Sequence, residues 1–428
     1  MNILIKNAKV LSFEDGKAVV KKADITVENG NISQIGKIKT DFEAQKVINA
    51  EDMLAMPGLI NAHTHLSMNL FRNYADDMPL WDWLTKKIWP LEERLTAEIV
   101  YRGSILGIAE LIKSGVTGFL DMYFFAEETI KAALETGVRA YIARGLTDEE
   151  EGKEIRLKET RELYRKYHEK SGRIKIFTGP HAPYTCSPQY LEKVIDLSKE
   201  LNIGIHIHLS ETRKELDESI QKWGKTPIKH VYHLGLFERP TIAAHCVHVD
   251  NEDIEILAEC GVNVVYNPTS NLKLASGFAP IEKMLKAGVN VALGTDGASS
   301  NNNLNMFEEM HLASIVNKCV NHDAVSIPAE TTIKMASING AKALGVEKDL
   351  GSLEVGKKAD IIFIDLKKPH LCPLNNPLSA IYYSAQGSDV HTVMADGKIL
   401  MENYELKTID IEKAMYEAEE SARKLIGA

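Results

Sequence analysis

Apolar and polar positions follow two rhythms along this chain. Near the start, Ile3–Ile5, Lys9–Ser12, Asp24–Val27 and Ile32–Ile35 are short apolar or alternating runs, punctuated by Asp15-Gly16 and Asn29-Gly30. That pattern predicts strands joined by tight turns. It returns late, at Asp360–Leu366, Val390–Ala395 and Ile399–Met401, with Asp396-Gly397 between the last two runs. Each end alone is short of strands for a stable sheet. One small β domain built from both ends is therefore favoured over two independent β-rich ends.

The middle alternates β-branched strands with helix-patterned segments. Candidate strands are Leu59–His65, Thr117–Met122, Val138–Arg144, Ile174–His181, Ile203–Leu209, Thr241–His245, Val262–Asn267 and Val289–Asp296. Amphipathic helices intervene, as at Pro188–Leu201, Asn251–Cys260 and Ile281–Ala287. Several end in a glycine just before the next strand, at Gly115, Gly137, Gly261 and Gly288, which suits helix exit. This repeat predicts an α/β fold with a parallel (β/α)8 barrel of the TIM type; an open doubly wound sheet is the alternative. No glycine-rich dinucleotide fingerprint follows an early strand, which weakens that alternative.

Length changes the picture little: 428 residues fit one long barrel and a second, smaller β domain without a third domain. The expected division is 57–345 for the barrel, with 1–56 and 346–428 forming the composite β domain and a C-terminal helix. With 50 Lys and Arg against 60 Asp and Glu, the formal charge is −10, which argues against a general nucleic-acid binder. Five scattered cysteines, Cys186, Cys246, Cys260, Cys319 and Cys372, form no CxxC and suggest neither a disulfide framework nor a cysteine-rich zinc site. The first residues lack a signal-peptide pattern, and the uncharged run Met53–Phe71 holds Pro57, Gly58, Asn61, His63 and His65, poor material for a membrane span. A cytoplasmic, homo-oligomeric protein without membrane or nucleic-acid partners is the expectation.

The chemistry concentrates at strand ends. His63-Thr64-His65 closes the first barrel strand, and side chains two apart on a strand share a face. The fifth strand ends His206-Ile207-His208-Leu209-Ser210-Glu211, the sixth His245-Cys246 and the eighth Thr295-Asp296-Gly297. In a parallel barrel these ends converge at the C-terminal mouth, where active sites sit. Histidine and aspartate together suit a divalent transition metal, and Glu211 suits an acid or base beside activated water.

These motifs, with Pro57–Ala62 before His63 and the late segment Gly351–Asp360, resemble the amidohydrolase superfamily in order and over almost the whole chain. The resemblance implies the barrel and a β-sandwich formed by both chain ends. It also implies His63, His65, His208 and Asp296 as metal ligands, with His206 structural. The fourth strand ends Thr178–Tyr184 without a lysine to bridge two ions, so a single divalent ion per subunit is implied. Zinc is the expected ion, although iron, nickel or manganese fit the same donors.

Trp89–Glu92, Gly118–Tyr123, Gly179–Cys186, Ala243–Val249, Asn267–Leu274 and Leu293–Asn303 look like the branch that deaminates adenine nucleosides. That likeness implies release of ammonia from C6 of 5′-methylthioadenosine and S-adenosylhomocysteine, with adenosine and 5′-deoxyadenosine as further small-molecule substrates. Glu211, His245 and Asp296 are then the catalytic groups. Glu92, Arg144, Arg156 and His181, with Glu211 and Asp296, bind the nucleoside. From composition alone, the run Glu149–Lys158 around Arg156 reads as a solvated charged face. Trp81, Trp83 and Trp89 read equally as pocket wall or packing, and Met68, Met78, Met122 and Met306 as core filler before pocket liners. Cys246 reads as a buried, inert thiol. Two other functions stand beside deamination of adenine: hydrolysis of guanine, cytosine or a triazine, and a silent scaffold on the same fold.

Overall fold

The computed structural model describes residues 1–38, 42–149 and 152–427; Glu150 and Glu151 of the charged run lie outside them. The chain opens with β1 (Ile3–Glu14), β2 (Lys17–Glu28), β3 (Asn31–Gly36), β4 (Lys46–Asn49) and β5 (Met53–Pro57). Eight strands follow with helices between them: β6 (Leu59–Thr64), β7 (Val116–Tyr123), β8 (Arg139–Leu146), β9 (Ile174–Pro180), β10 (Ile205–Leu209), β11 (Thr241–His245), β12 (Asn263–Tyr266) and β13 (Asn290–Leu293). Four more close the chain: β14 (Ile361–Asp365), β15 (Val390–Ala395), β16 (Lys398–Glu402) and β17 (Glu405–Leu406).

The two ends share one sheet, in the order β17-β16-β15-β14-β5-β1-β2-β3, with β4 beside β1. β14 pairs antiparallel with β5, which makes the join. Its core combines Ile3, Ile5, Ile25 and Val27 from the start with Ile361, Phe363 and Met394 from the end. The turns carry the positive φ that a twisted hairpin needs: 48° and 74° at Asp15-Gly16, and 52° and 71° at Asp396-Gly397. Ile3–Ile5 and Lys9–Ser12 are one strand rather than two. A register shift between Ile5 and Ala8 breaks the alternation, with Asn7 at φ 65° and its N–H held by Asp24 Oδ1 at 2.8 Å.

Strands β6 to β13 are parallel neighbours in sequence order and curl into the barrel. The seam between β6 and β13 is closed by side chains as well as backbone. Asn61 donates from Nδ2 to Thr295 Oγ1 at 2.7 Å and accepts the Thr295 N–H at 3.1 Å, while the Asp296 N–H reaches His63 O at 3.0 Å. The seam thereby brings the ends of β6 and β13 together. Among the described residues no helix is long and apolar enough to cross a membrane.

Barrel and sheet are joined by a buried ion pair. Arg139 of β8 donates from Nε and Nη2 to the two carboxylate oxygens of Asp360 at 2.8 and 2.9 Å, and both side chains are under 5% exposed. Arg139→Ala leaves Asp360 charged and unpaired in the interior, so a loss of about 3–5 kcal/mol in unfolding free energy is expected. Denaturant titration measures it. The C-terminal helix Ile411–Ile426, although it follows the sheet in sequence, packs against the barrel helix Ala97–Lys113.

Candidate metal centre and active site

Five strand-end side chains converge at the barrel mouth. His65 Nε2 lies 3.2 Å from His208 Nε2, and Asp296 Oδ1 lies 3.3 Å from His65 Nε2 and 3.4 Å from His63 Nε2. His63, His65 and His208, and likewise His63, His245 and Asp296, each offer donor atoms within 4.8 Å of one another. The backbone turns sharply here, with φ 74° at His245 and 62° at Asp296, where each strand gives way to its loop.

Hydrogen bonds fix which ring nitrogens are bare. His65 Nδ1 donates to Met122 O at 2.6 Å, and His208 Nδ1 to His181 O at 2.7 Å. His206 donates from Nδ1 to Ile242 O at 3.1 Å, so its Nε2 is an acceptor and takes the Nδ1–H of His63 at 2.8 Å. Each neutral imidazole carries one N–H, so Nε2 of His63, His65 and His208 is a lone pair. His63 Nε2 is buried without any hydrogen-bond partner. Such an orphan is costly unless a cation meets it, which fits a metal site. Burial also holds His63 at about 4 and His208 well below the ordinary imidazole value, so the donors are neutral near pH 7.

Asp296 is held as a carboxylate by three donors: Gly297 N at 2.8 Å on Oδ1, and the Ser270 and Ser300 hydroxyls at 2.7 and 3.1 Å on Oδ2. Glu211 is the opposite case. Burial, and then the neighbouring Asp296 carboxylate, push it up to about 8. The loop that carries it is pinned by Glu215, which accepts the N–H groups of Ser210 and Glu211 at 2.9 and 2.8 Å. His245 Nε2 stands 3.7 Å from Glu211 Oε2, and the Asn271 amide donates to its Nδ1 at 3.0 Å. With Nδ1 accepting, Nε2 carries the proton, the reverse of His63, His65, His206 and His208.

Beneath the site, Glu309 joins the loops after β12 and β13 by accepting Thr269 N at 3.2 Å and Asn301 Nδ2 at 2.7 Å. Burial raises its carboxyl to about 8. A raised carboxyl contributes stability that is complete below its ordinary value, about 4.5, and is lost as pH rises through about 8. Glu309→Gln is therefore expected to flatten the fall in stability across that window. Unfolding midpoints of parent and variant at about pH 6 and about pH 9 measure it.

A cavity of about 960 Å³ opens above these groups. His65, His208, Glu211, His245 and Asp296 line it together with Glu92, Arg144, Arg156 and His181, so nine of the ten residues singled out from the sequence face one space. The tenth, His63, lies fully buried below them. The segment Leu80–Glu92 forms one wall and brings in Trp83 and Trp89. Trp81 instead packs edge-on against Trp89, with ring centroids 5.8 Å apart, and is 42% exposed. Met68 and Met122 line the cavity, whereas Met306 is core. Cys246 is buried and its thiol pushed up by burial, as an inert group would be. The charged run around Arg156 is not simply a solvated face. Helix Lys153–Tyr167 turns Arg156, Glu159, Leu163 and Lys166 toward the cavity at helical spacing.

The sequence reading missed the groups that hold the site: Ser270, Ser300, Asn271 and Glu215, along with Tyr123, Tyr184 and Leu274 of the cavity wall. Serine and asparagine in loops resemble ordinary turn residues. The stretches Gly118–Tyr123, Gly179–Cys186, Asn267–Leu274 and Leu293–Asn303 contain all of them but Glu215, with no signal that assigns each a role.

Residues 54–400 match the family model described as the amidohydrolase family. A 5-methylthioadenosine/S-adenosylhomocysteine deaminase of Caldanaerobacter subterraneus subsp. tengcongensis is 58% identical over 429 residues, covering 100% of this chain and 99% of the relative. A 5′-deoxyadenosine deaminase of Methanosarcina mazei is 48% identical, covering 99% of this chain and 98% of its own. A crystal structure of an adenosine deaminase from Xanthomonas campestris with bound zinc superposes with a TM-score of 0.96 at 35% identity, over 100% of this chain and 99% of the other.

Proposed function

The chain belongs to the amidohydrolase family, and from that premise we propose that it is a metal-dependent aminohydrolase acting on the adenine ring of small nucleosides. It catalyses hydrolytic deamination of 5′-methylthioadenosine and S-adenosylhomocysteine, and the relative from Methanosarcina mazei adds 5′-deoxyadenosine to the substrate range. The products are the inosine analogue and ammonia. The observation that carries this reading is the convergence of two carboxyls, Glu211 and Asp296, with the bare imidazole nitrogens of His63, His65 and His208 at a cavity of about 960 Å³.

His63, His65, His208 and Asp296 would hold one divalent ion, with zinc the best match to three nitrogens and a carboxylate and to the zinc-bound relative. When bound, the ion supplies Lewis-acid activation of water at neutral pH. Asp296 would orient the attacking water and take its proton. Glu211 gives its proton to the ring nitrogen beside C6 and makes that carbon a better electrophile. His245 donates its Nε2–H toward the attacking oxygen. Both carboxyls move protons again as the tetrahedral carbon expels ammonia.

Beside the metal ligands, Glu92 accepts the ribose hydroxyls and His181, whose ring centroid is 4.8 Å from that of His208, meets the sugar or the adenine edge. Arg144 and Arg156 receive a substrate carboxylate. Arg156→Ala is expected to lower kcat/KM for S-adenosylhomocysteine about tenfold or more relative to 5′-methylthioadenosine, since only the former bears a carboxylate. Equal losses on both would remove Arg156 from that role. The whole reading is tested by ammonia release from adenosine, 5′-methylthioadenosine, S-adenosylhomocysteine and guanine, with metal analysis on the same sample. No release from any adenine nucleoside would overturn it, and release from guanine alone would favour a different heterocycle.

A further inference from the structure

Two arginine–glutamate pairs line the cavity, beside further charged groups at Glu127, Glu128, Glu162 and Lys166. Arg144 Nε donates to Glu159 Oε2 at 2.8 Å, and Arg156 Nη2 donates to Glu149 Oε2 at 2.6 Å. All four side chains line the cavity. The guanidinium groups lie deep, at 11% and 14% exposure, and the carboxylates lie outward, at 45% and 69%. Within each pair the guanidinium is thus the inner partner and the carboxylate the outer one.

Neither guanidinium is saturated. Arg144 further donates from Nη1 to Gly145 O, and Arg156 from Nη1 to Thr147 O. With five N–H donors each, both keep donors for a ligand. A bare carboxylate entering here meets those donors and also the repulsion of two glutamates. An α-amino acid meets neither conflict, because its ammonium sits two bonds from its carboxylate and follows the same order of sign, anion inward and cation outward.

We propose that Glu149 and Glu159 are specificity-determining residues that receive the α-ammonium group of an amino-acid substituent at the nucleoside 5′ position. The site then selects a zwitterion over a bare carboxylate. This rests on the deaminase reading above and deepens it: arginines alone would favour any anion, and the paired glutamates narrow the choice. The apolar chain between ribose and amino acid lies along Leu163 and Phe124, which line the same space.

The test compares S-adenosylhomocysteine with its des-amino analogue, in which hydrogen replaces the ammonium. Metal-loaded parent protein, Glu149→Gln, Glu159→Gln and the double variant are assayed for kcat/KM and, by calorimetry, for Kd. The preference for S-adenosylhomocysteine over the analogue is expected to fall about tenfold in the double variant, with each single variant between. If the glutamates only hold the arginines in place, both ligands weaken together and the ratio stays within about twofold of the parent, which overturns the proposal. Failure of the deaminase reading is a separate result. It shows as absent ammonia release from 5′-methylthioadenosine by the parent, and the ratio of Kd values still decides the role of the glutamates.

Discussion

Glu211→Gln is expected to lower kcat about a thousandfold while the protein keeps its metal and its fold. The argument is about one proton. Glu211 is 5% exposed, and burial together with the Asp296 carboxylate lifts it to about 8, so it holds a proton when most carboxyls have lost theirs. Its position does not depend on that proton. The backbone N–H is fixed by Glu215 at 2.8 Å, and Ser276 Oγ stands 3.4 Å from Oε1. Glutamine keeps the shape and can still donate a hydrogen bond to the ring nitrogen, but it cannot transfer a proton to it. Binding is therefore expected to change far less than turnover. Steady-state ammonia release, with metal stoichiometry on the same sample, measures both halves; a kcat within about tenfold of the parent would remove Glu211 from proton transfer.

The second large effect is expected from His63→Ala: metal affinity falls by more than about a hundredfold, and turnover falls with occupancy. His63 supplies the bare, partnerless Nε2 at the centre of the cluster, and it belongs to both groups of potential donors. Removing it also leaves His206 Nε2 without the N–H it accepts at 2.8 Å. His206→Ala separates the two contributions. That change keeps all three Nε2 atoms and frees only the ring of His63, so a smaller loss of about 10–100-fold in metal affinity is expected. Unchanged stoichiometry in His63→Ala under metal-limited conditions would sink the ligand assignment.

Much of this was legible in the chain because the barrel repeats a simple rule. Each strand is a short β-branched run, each helix is amphipathic, and several helices exit at a glycine. All eight candidate strands are present with ends moved by a few residues, and Thr241–His245 is unmoved. Strand ends could be read for chemistry for the same reason: a parallel barrel puts every C-terminal strand end at one mouth. The two-residue spacing in His63-Thr64-His65 and His206-Ile207-His208 then decides which faces the rings share. The hairpins of the end sheet were legible from Asp-Gly and Asn-Gly pairs, which tolerate the backbone those turns require.

What the sequence by itself determined, then, was the barrel, the shared origin of the end sheet, and the histidines and carboxyls that gather at the barrel mouth. Tertiary structure alone decided how those residues are tuned. The bare Nε2 of His63 depends on His206, 143 positions away, and on a carbonyl at Ile242. The raised carboxyl of Glu211 depends on burial and on Asp296, and the turn that holds it depends on Glu215. The two arginines acquire their glutamate partners only when helix Lys153–Tyr167 folds over the cavity. The physical reason is common to all three. Protonation state and charge pairing are set by neighbours in space and by exclusion of water, and neither is written in the local pattern of apolar and polar positions.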